Sequence, residues 1–162
     1  MTPTVTSGPG GGDFLDKEAI AAAKDGSGVV ILSLTNFLDL SARNQCPDAS
    51  PSGFGQIEVF RSTDGGDTYQ GSIVIGPDLT DFAADPNCNA GVSQQSSSPA
   101  FGPNGEVYVV WERGPWFDLT DVSADAEIVV ATSLDGGATF GPPMVVDRIN
   151  HMRGAPPVAL LL

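Results

Sequence analysis

The sequence predicts an all-β chain: two four-stranded antiparallel units of the β-propeller type, then the opening strand of a third. Three observations carry this. An octamer, Ser62-Thr63-Asp64-Gly65-Gly66-Asp67-Thr68-Tyr69, returns as Ser133-Leu134-Asp135-Gly136-Gly137-Ala138-Thr139-Phe140. Around each copy the same succession of short apolar or alternating runs is repeated. The composition, 20 Gly and 13 Pro with few aromatics, suits many short strands joined by turns.

Residues 1–16 are rich in Thr, Pro and Gly and are expected to be an irregular lead-in. The first unit spans 17–76. Its runs are Glu18–Ala23, Val29–Thr35 after a turn at Lys24–Gly28, Gln56–Ser62, and Ser72–Ile75 after the octamer. An inter-unit loop is expected over 77–95. The second unit, 96–147, repeats the order with Ser98–Phe101, a turn at Gly102–Gly105, Glu106–Glu112, Ala126–Ser133, the second octamer and Pro143–Val146. Anchored on the octamers, Ile57 and Val59 align with Ile128 and Val130, and Ile73-Val74-Ile75 with Met144-Val145-Val146. Anchored on the turn glycines, Val30, Leu32 and Leu34 align with Val107, Val109 and Trp111. Residues 148–162 read as a linker and a cut-short first strand at Pro156–Leu160. Propellers close with four to eight such units, and two leave apolar faces and sheet edges uncovered. The remaining blades are therefore expected in cis, in a longer protein, or by association.

Asp-Gly-Gly between two β-type runs is a hairpin signal. The glycines supply positive φ, the Asp carboxylate accepts backbone N–H groups within the turn, and the Ser and Thr hydroxyls add further bonds. The structural set is Ser62, Asp64, Gly65, Gly66, Thr68 and Tyr69, with Ser133, Asp135, Gly136, Gly137, Thr139 and Phe140.

This S-x-D-G-G-x-T-aromatic pattern resembles the Asp-box, or BNR repeat, of the sialidase-like β-propeller superfamily. The resemblance implies a six-bladed fold of which this chain is about the first third. It also implies that the boxes are rim turns remote from any active site. In sialidases an arginine triad holds the substrate carboxylate, a Tyr paired with Glu is the nucleophile and an Asp is the acid/base. The first-blade Arg-Ile-Pro-type motif is absent here, the corresponding region reading Lys17-Glu18-Ala19-Ile20. Tyr69 belongs to an octamer and Tyr108 lies within a strand run, so no catalytic residue is carried over.

Up-and-down topology places the short 1–2 and 3–4 turns on one side and the long loops on the other. Long loops on a rigid scaffold are the usual place for binding. The ligand-face candidates are Arg43, Trp111, Glu112, Arg113, Trp116, Arg148 and Arg153. Arginine beside aromatic rings suits a sugar or a carboxylated ligand, and equally the aromatics could pack over a blade edge. Cys46 and Cys88 fall in neighbouring long loops, so a Cys46–Cys88 disulfide is expected, with two free thiols as the alternative. Asp118, Asp121 and Asp125 can hold Ca²⁺, although their spacing is not an EF-hand loop. A solvated acidic loop or a helix N-cap is the favoured reading of that segment. No cofactor is required by the sequence.

The formal charge of −13, from 20 acidic and 7 basic residues, argues against nucleic-acid or anionic-membrane binding. A single histidine, His151, gives little support to a multi-histidine metal site. The start at Met1 carries no basic segment or apolar run of a signal peptide, yet the resemblance and the cysteines fit an extracellular or periplasmic protein. Two functions follow as expectations: a secreted glycan-binding or glycan-active sialidase-like protein, or a non-catalytic extracellular propeller that binds a protein.

Overall fold

A computed structural model of the chain describes residues 12–40, 55–80, 91–114 and 125–150. All regular structure among them is β, in nine strands: β1 (Phe14–Ala22), β2 (Val30–Phe37), β3 (Gln56–Ser62), β4 (Gln70–Gly76), β5 (Leu79–Thr80), β6 (Gly91–Phe101), β7 (Val107–Gly114), β8 (Asp125–Ser133) and β9 (Met144–Asn150). They form two antiparallel sheets, ordered β1-β2-β3-β4 and β5-β6-β7-β8-β9. Strands in sequence are neighbours in space, so the octamers occupy the β3–β4 and β8–β9 hairpins, as the sequence predicts. No helix of the described residues is long and apolar enough to cross a membrane.

The two registers coincide. Val30 faces Ser62 in the first sheet and Val107 faces Ser133 in the second, so Val30 and Val107 hold equivalent places. Ile73 and Met144 are likewise equivalent, opposite Val59 and Val130. The sequence alignment of the two units is thus their spatial alignment.

Successive residues of a strand point to opposite faces, and this decides the packing. Ile31, Ile57, Val59 and Ile75 of the first sheet meet Val107, Val109, Trp111, Val129 and Ala131 of the second in one core. Each such buried aliphatic contributes roughly 1.5–3 kcal/mol by leaving water. The seam also carries hydrogen-bonded polar groups: Ser97 Oγ donates to Ser33 Oγ at 2.9 Å, and both serines are buried.

Three boundaries differ from the sequence reading. The second unit's first strand starts at Gly91, so the segment 77–95 contains β5 and the beginning of β6. The buried side chains of this strand are hydrogen-bonded polar groups, Ser97 to Ser33, Gln94 to Trp111 and Pro77, and Gln95 to Ser93, so it lacks the apolar alternation that marks a strand. β1 likewise starts at Phe14, inside the expected lead-in. Its alternation is broken by a bulge between Asp16 and Ala19, where Lys17 takes φ 55°. β9 continues to Asn150, beyond the expected end of the second unit.

The octamers fold alike. Ser62 Oγ donates to Asp64 Oδ1 at 2.6 Å and accepts the Gly66 N–H at 2.9 Å. Asp64 accepts the Thr68 N–H at 2.9 Å and the Thr68 hydroxyl at 2.5 Å. In the second octamer Ser133 donates to Asp135 at 2.7 Å, and Asp135 accepts the Thr139 N–H at 2.9 Å and hydroxyl at 2.6 Å. All four octamer glycines have positive φ. Bonds from Ser62, then from the Thr68 hydroxyl and N–H, hold the Asp64 carboxyl far below the usual range. Bonds from the Thr139 hydroxyl and N–H, then from Ser133, do the same for Asp135. These carboxylates have saturated local partners, which makes them turn-formers.

Candidate functional site

The side opposite the octamers is where β2, β4, β7 and β9 end and β3, β6 and β8 begin. There the second sheet carries a row of polar residues across four strands: Gln94 opposite Arg113, Arg113 opposite Glu127, and Glu127 opposite Arg148. By strand alternation this row lies on the same face as Trp111 and Val129, so it caps the end of the inter-sheet core.

Glu127 sits between two guanidinium groups. Arg113 donates from Nε at 2.9 Å and Nη2 at 2.7 Å, both to Glu127 Oε2. Arg148 Nη2 lies 3.1 Å from Oε1, the other oxygen. Arg113 and Glu127 are largely covered, whereas the Arg148 side chain is 69% exposed. The cluster holds two positive charges and one negative, so it keeps a net positive character in a strongly acidic chain. The fork of an exposed guanidinium matches a carboxylate or a similar oxyanion.

Gln94 anchors the row from below. Its Oε1 accepts the Trp111 indole N–H at 2.9 Å, and its Nε2 donates to the Pro77 carbonyl. The first sheet leaves room for it. A Cβ at Gly76 would stand 2.8 Å from Gln94 Oε1, and one at Gly55 would stand 3.0 Å from the Gln94 carbonyl oxygen.

The first sheet has amides around a single carboxylate at the same place. Asn36 and Gln56 are the register equivalents of Arg113 and Glu127. Their amides donate to Glu58 Oε1 at 2.7 and 2.6 Å. The cationic cluster therefore belongs to the second unit alone.

Of the sequence-predicted ligand-face residues, Arg113 and Arg148 come together through Glu127. Trp111 does not belong with them: it is 1% exposed in the core, because its strand position alternates inward with Val107 and Val109. Glu112, the next residue, points to the opposite face of the sheet. Arg43, Trp116 and Arg153 lie outside the described residues. So do Cys46 and Cys88, and Asp118 and Asp121 of the Ca²⁺ reading; Asp125 opens β8. Sequence reasoning missed Glu127 and Gln94. Glu127 was detectable as a charge within an apolar strand run, whereas Gln94 was hidden in a segment read as a loop.

No family model matches the chain, and no curated protein does. Among solved structures, the Hadza microbial sialidase Hz136 is similar over 82% of this chain at a TM-score of 0.56 and 17% identity. The matched part is 26% of that sialidase, so the chain spans about a quarter of its length. A protein of unknown function from Dyadobacter fermentans DSM 18053 aligns over 81% of the chain and 50% of its own, at 15% identity and a TM-score of 0.32, too low to carry an argument. The likeness to the sialidase is one of fold: an all-β, sialidase-like arrangement that fits a β-propeller.

Proposed function

We propose that this chain is a segment of a secreted, sialidase-like propeller protein that binds a carboxylate-bearing glycan on the side opposite its octamer turns. The observation that carries the reading is the convergence of Arg113 and the exposed Arg148 on Glu127, at the strand ends opposite the octamers. Glu127 holds Arg113 in place, and Arg148 offers its outward donors to an acidic sugar. The octamers are read as Asp-boxes, with a structural role only. Hydrolysis is not assigned, because no Tyr and Glu pair accompanies the arginines among the described residues: Tyr69 is in a turn and Tyr108 is on the opposite face from Arg113.

Saturation-transfer NMR on the chain with sialyllactose, and with lactose as the neutral control, tests this. Transfer is expected to the acidic sugar and to depend on Arg148. Equal transfer to both ligands, or none to either, would overturn the reading. A fluorogenic sialoside is expected to give no turnover with this chain.

A further inference from the structure

On the side opposite the octamers the seam between the sheets ends in two unlike walls. The second sheet supplies the row from Gln94 to Arg148. The first sheet supplies a pair of aromatic rings. Phe37 follows Ile31, Ser33 and Thr35 at every second place of β2, so it shares their face toward the second sheet. Phe14 is its register partner on β1, and the two rings stack with centroids 6.1 Å apart and planes 29° apart. Lys17 Nζ lies 5.9 Å from the Phe37 centroid and pairs with the Asp16 carboxylate at 2.5 Å. The Phe14 ring is left 62% exposed.

The four-stranded unit does not need these rings. At the equivalent step of the second sheet the register partners are Ser93, which is buried, and Gly114, which has no side chain. A single exposed phenylalanine is ordinary on a protein surface. Two stacked rings flanked by a lysine, present in one unit and absent from its repeat, are a built surface that folding does not require. The rings also adjoin the polar row. A Cβ at Gly55 would stand 3.2 Å from Phe37 Cε1 and 3.0 Å from the Gln94 carbonyl oxygen, so one bare glycine separates the two walls.

We infer that the Phe14–Phe37 pair is a stacking subsite for a neutral sugar ring, carried by the same oligosaccharide whose acidic residue meets Arg148; this rests on the acidic-glycan reading above. The C–H bonds on one face of a pyranose pack against the open face of Phe14. The hydroxyl groups around its edge meet Asp16 as acceptor and Lys17 as donor, both well exposed beside the rings. The spacing sets the length of the ligand. Arg148 stands on β9 and Gln94 on β6, three strand spacings or roughly 15 Å apart, and the rings lie beyond Gln94. One sugar does not reach from Arg148 to Phe14, so the ligand is an oligosaccharide with its acid at one end and neutral sugars toward β1.

The test compares free sialic acid with sialyllacto-N-tetraose, a longer acidic glycan, on the unsubstituted chain and on Phe14→Leu, which keeps apolar bulk and removes the ring. By calorimetry Phe14→Leu is expected to weaken the longer glycan about fivefold and to leave free sialic acid unchanged. Phe14→Trp, which keeps an aromatic face, is expected to retain the affinity. With saturation placed on the aromatic protons, transfer is expected to the neutral sugars of the unsubstituted complex and is lost in Phe14→Leu. Equal affinity of Phe14→Leu and unsubstituted chain for the longer glycan, with Arg148→Ala still weakening it, would overturn the stacking subsite and leave the acidic-glycan reading standing. An equal loss of both ligands in Phe14→Leu would also overturn it, by showing that Phe14 serves the frame of the arginine row. So would self-association of the chain that Phe14→Leu abolishes, which would make a second copy the occupant. No binding of either ligand by the unsubstituted chain would overturn both readings.

Discussion

The Arg61 guanidinium donates its Nε–H to the Gly136 carbonyl at 2.9 Å, so β3 of the first sheet holds the octamer turn of the second. Beside this bond Gly137 lies directly on the core: a Cβ there would stand 2.4 Å from Ile31 Cδ1. The second octamer is therefore both a hairpin turn and a contact between sheets, whereas a Cβ at the equivalent Gly66 of the first octamer would meet only the Tyr69 hydroxyl, at 3.4 Å.

Arg61→Met keeps the aliphatic stem and removes the donor. It is expected to lower stability by about 1 kcal/mol, the usual worth of one hydrogen bond, with the octamer turn otherwise intact. Urea unfolding of the two proteins checks this, and an unchanged midpoint would show that the bond contributes nothing.

Gly137→Ala and Gly66→Ala should differ although both octamers have the same sequence at this place. Each residue has positive φ, at 86° and 99°, which costs an alanine about 1 kcal/mol. Gly137→Ala also overfills the core against Ile31 and is expected to cost a further 1–3 kcal/mol. Ile31→Val removes the clashing methyl, so the double variant should recover part of that second cost. Denaturation of the four proteins measures it, and equal losses at the two glycines would refute the contact.

Acid should loosen both octamers in the same window. The folded carboxyl groups of Asp64 and Asp135 are held below their ordinary value of 3.8, so the unfolded chain binds protons first as pH falls. Their stabilisation is complete above about pH 5 and is lost progressively as pH drops below 4 towards the folded values. Thr139→Val removes the largest contributor at Asp135 and should raise that carboxyl alone. Carboxyl-carbon NMR titration resolves the two groups. An unshifted Asp135 in the variant would contradict the bonding described.

Arg113→Ala and Arg148→Ala should separate stability from binding. Arg113 is largely covered and bonds Glu127 twice, so its loss leaves Oε2 of a largely covered carboxylate without these donors and is expected to cost about 1–3 kcal/mol. Arg148 is exposed, and its loss should cost less than about 0.5 kcal/mol. If the acidic-glycan reading holds, Arg148→Ala weakens binding about tenfold, or some 1.4 kcal/mol. Calorimetry with sialyllactose beside thermal unfolding gives both quantities.

Trp111→Phe should destabilise the seam by about 1–3 kcal/mol, because Gln94 Oε1 loses its indole donor in a buried place. The far larger Trp111→Ala should cost about 3–5 kcal/mol. Neither loss is expected to come with altered ligand chemistry, since the ring has no access to solvent. A fully folded Trp111→Phe variant that no longer binds would return this residue to the ligand face.

The hairpins and register were legible because turn chemistry and strand alternation are local. Gly65, Gly66, Gly136 and Gly137 announce their backbone angles by lacking Cβ. Lys17 and Ser96 do not: each adopts a positive φ, at 55° and 61°, for which no side chain prepares the reader. Burial of Gln94 and Ser97 was hidden for a related reason, since Ser97 bonds Ser33 of the other sheet and Gln94 bonds Trp111 and the Pro77 carbonyl, 17 residues away on either side. The arginine cluster was half legible. Arg113 and Arg148 were visible as charges near loops, but their meeting depends on Glu127 and on the pairing of three strands. Trp111 was misplaced because an aromatic next to a loop reads as accessible until the side chain's face is known.

Lys17 and Ser96 stand at the same step of two first strands, where the register slips between Asp16 and Ala19 and between Gln95 and Ser98. They share neither charge nor size. A kink that two such different residues both adopt belongs to the four-stranded module and not to a residue type. Chimeras should therefore be cut ahead of each kinked strand, before Phe14 and before Gly91, so that the kink stays with the sheet it shapes.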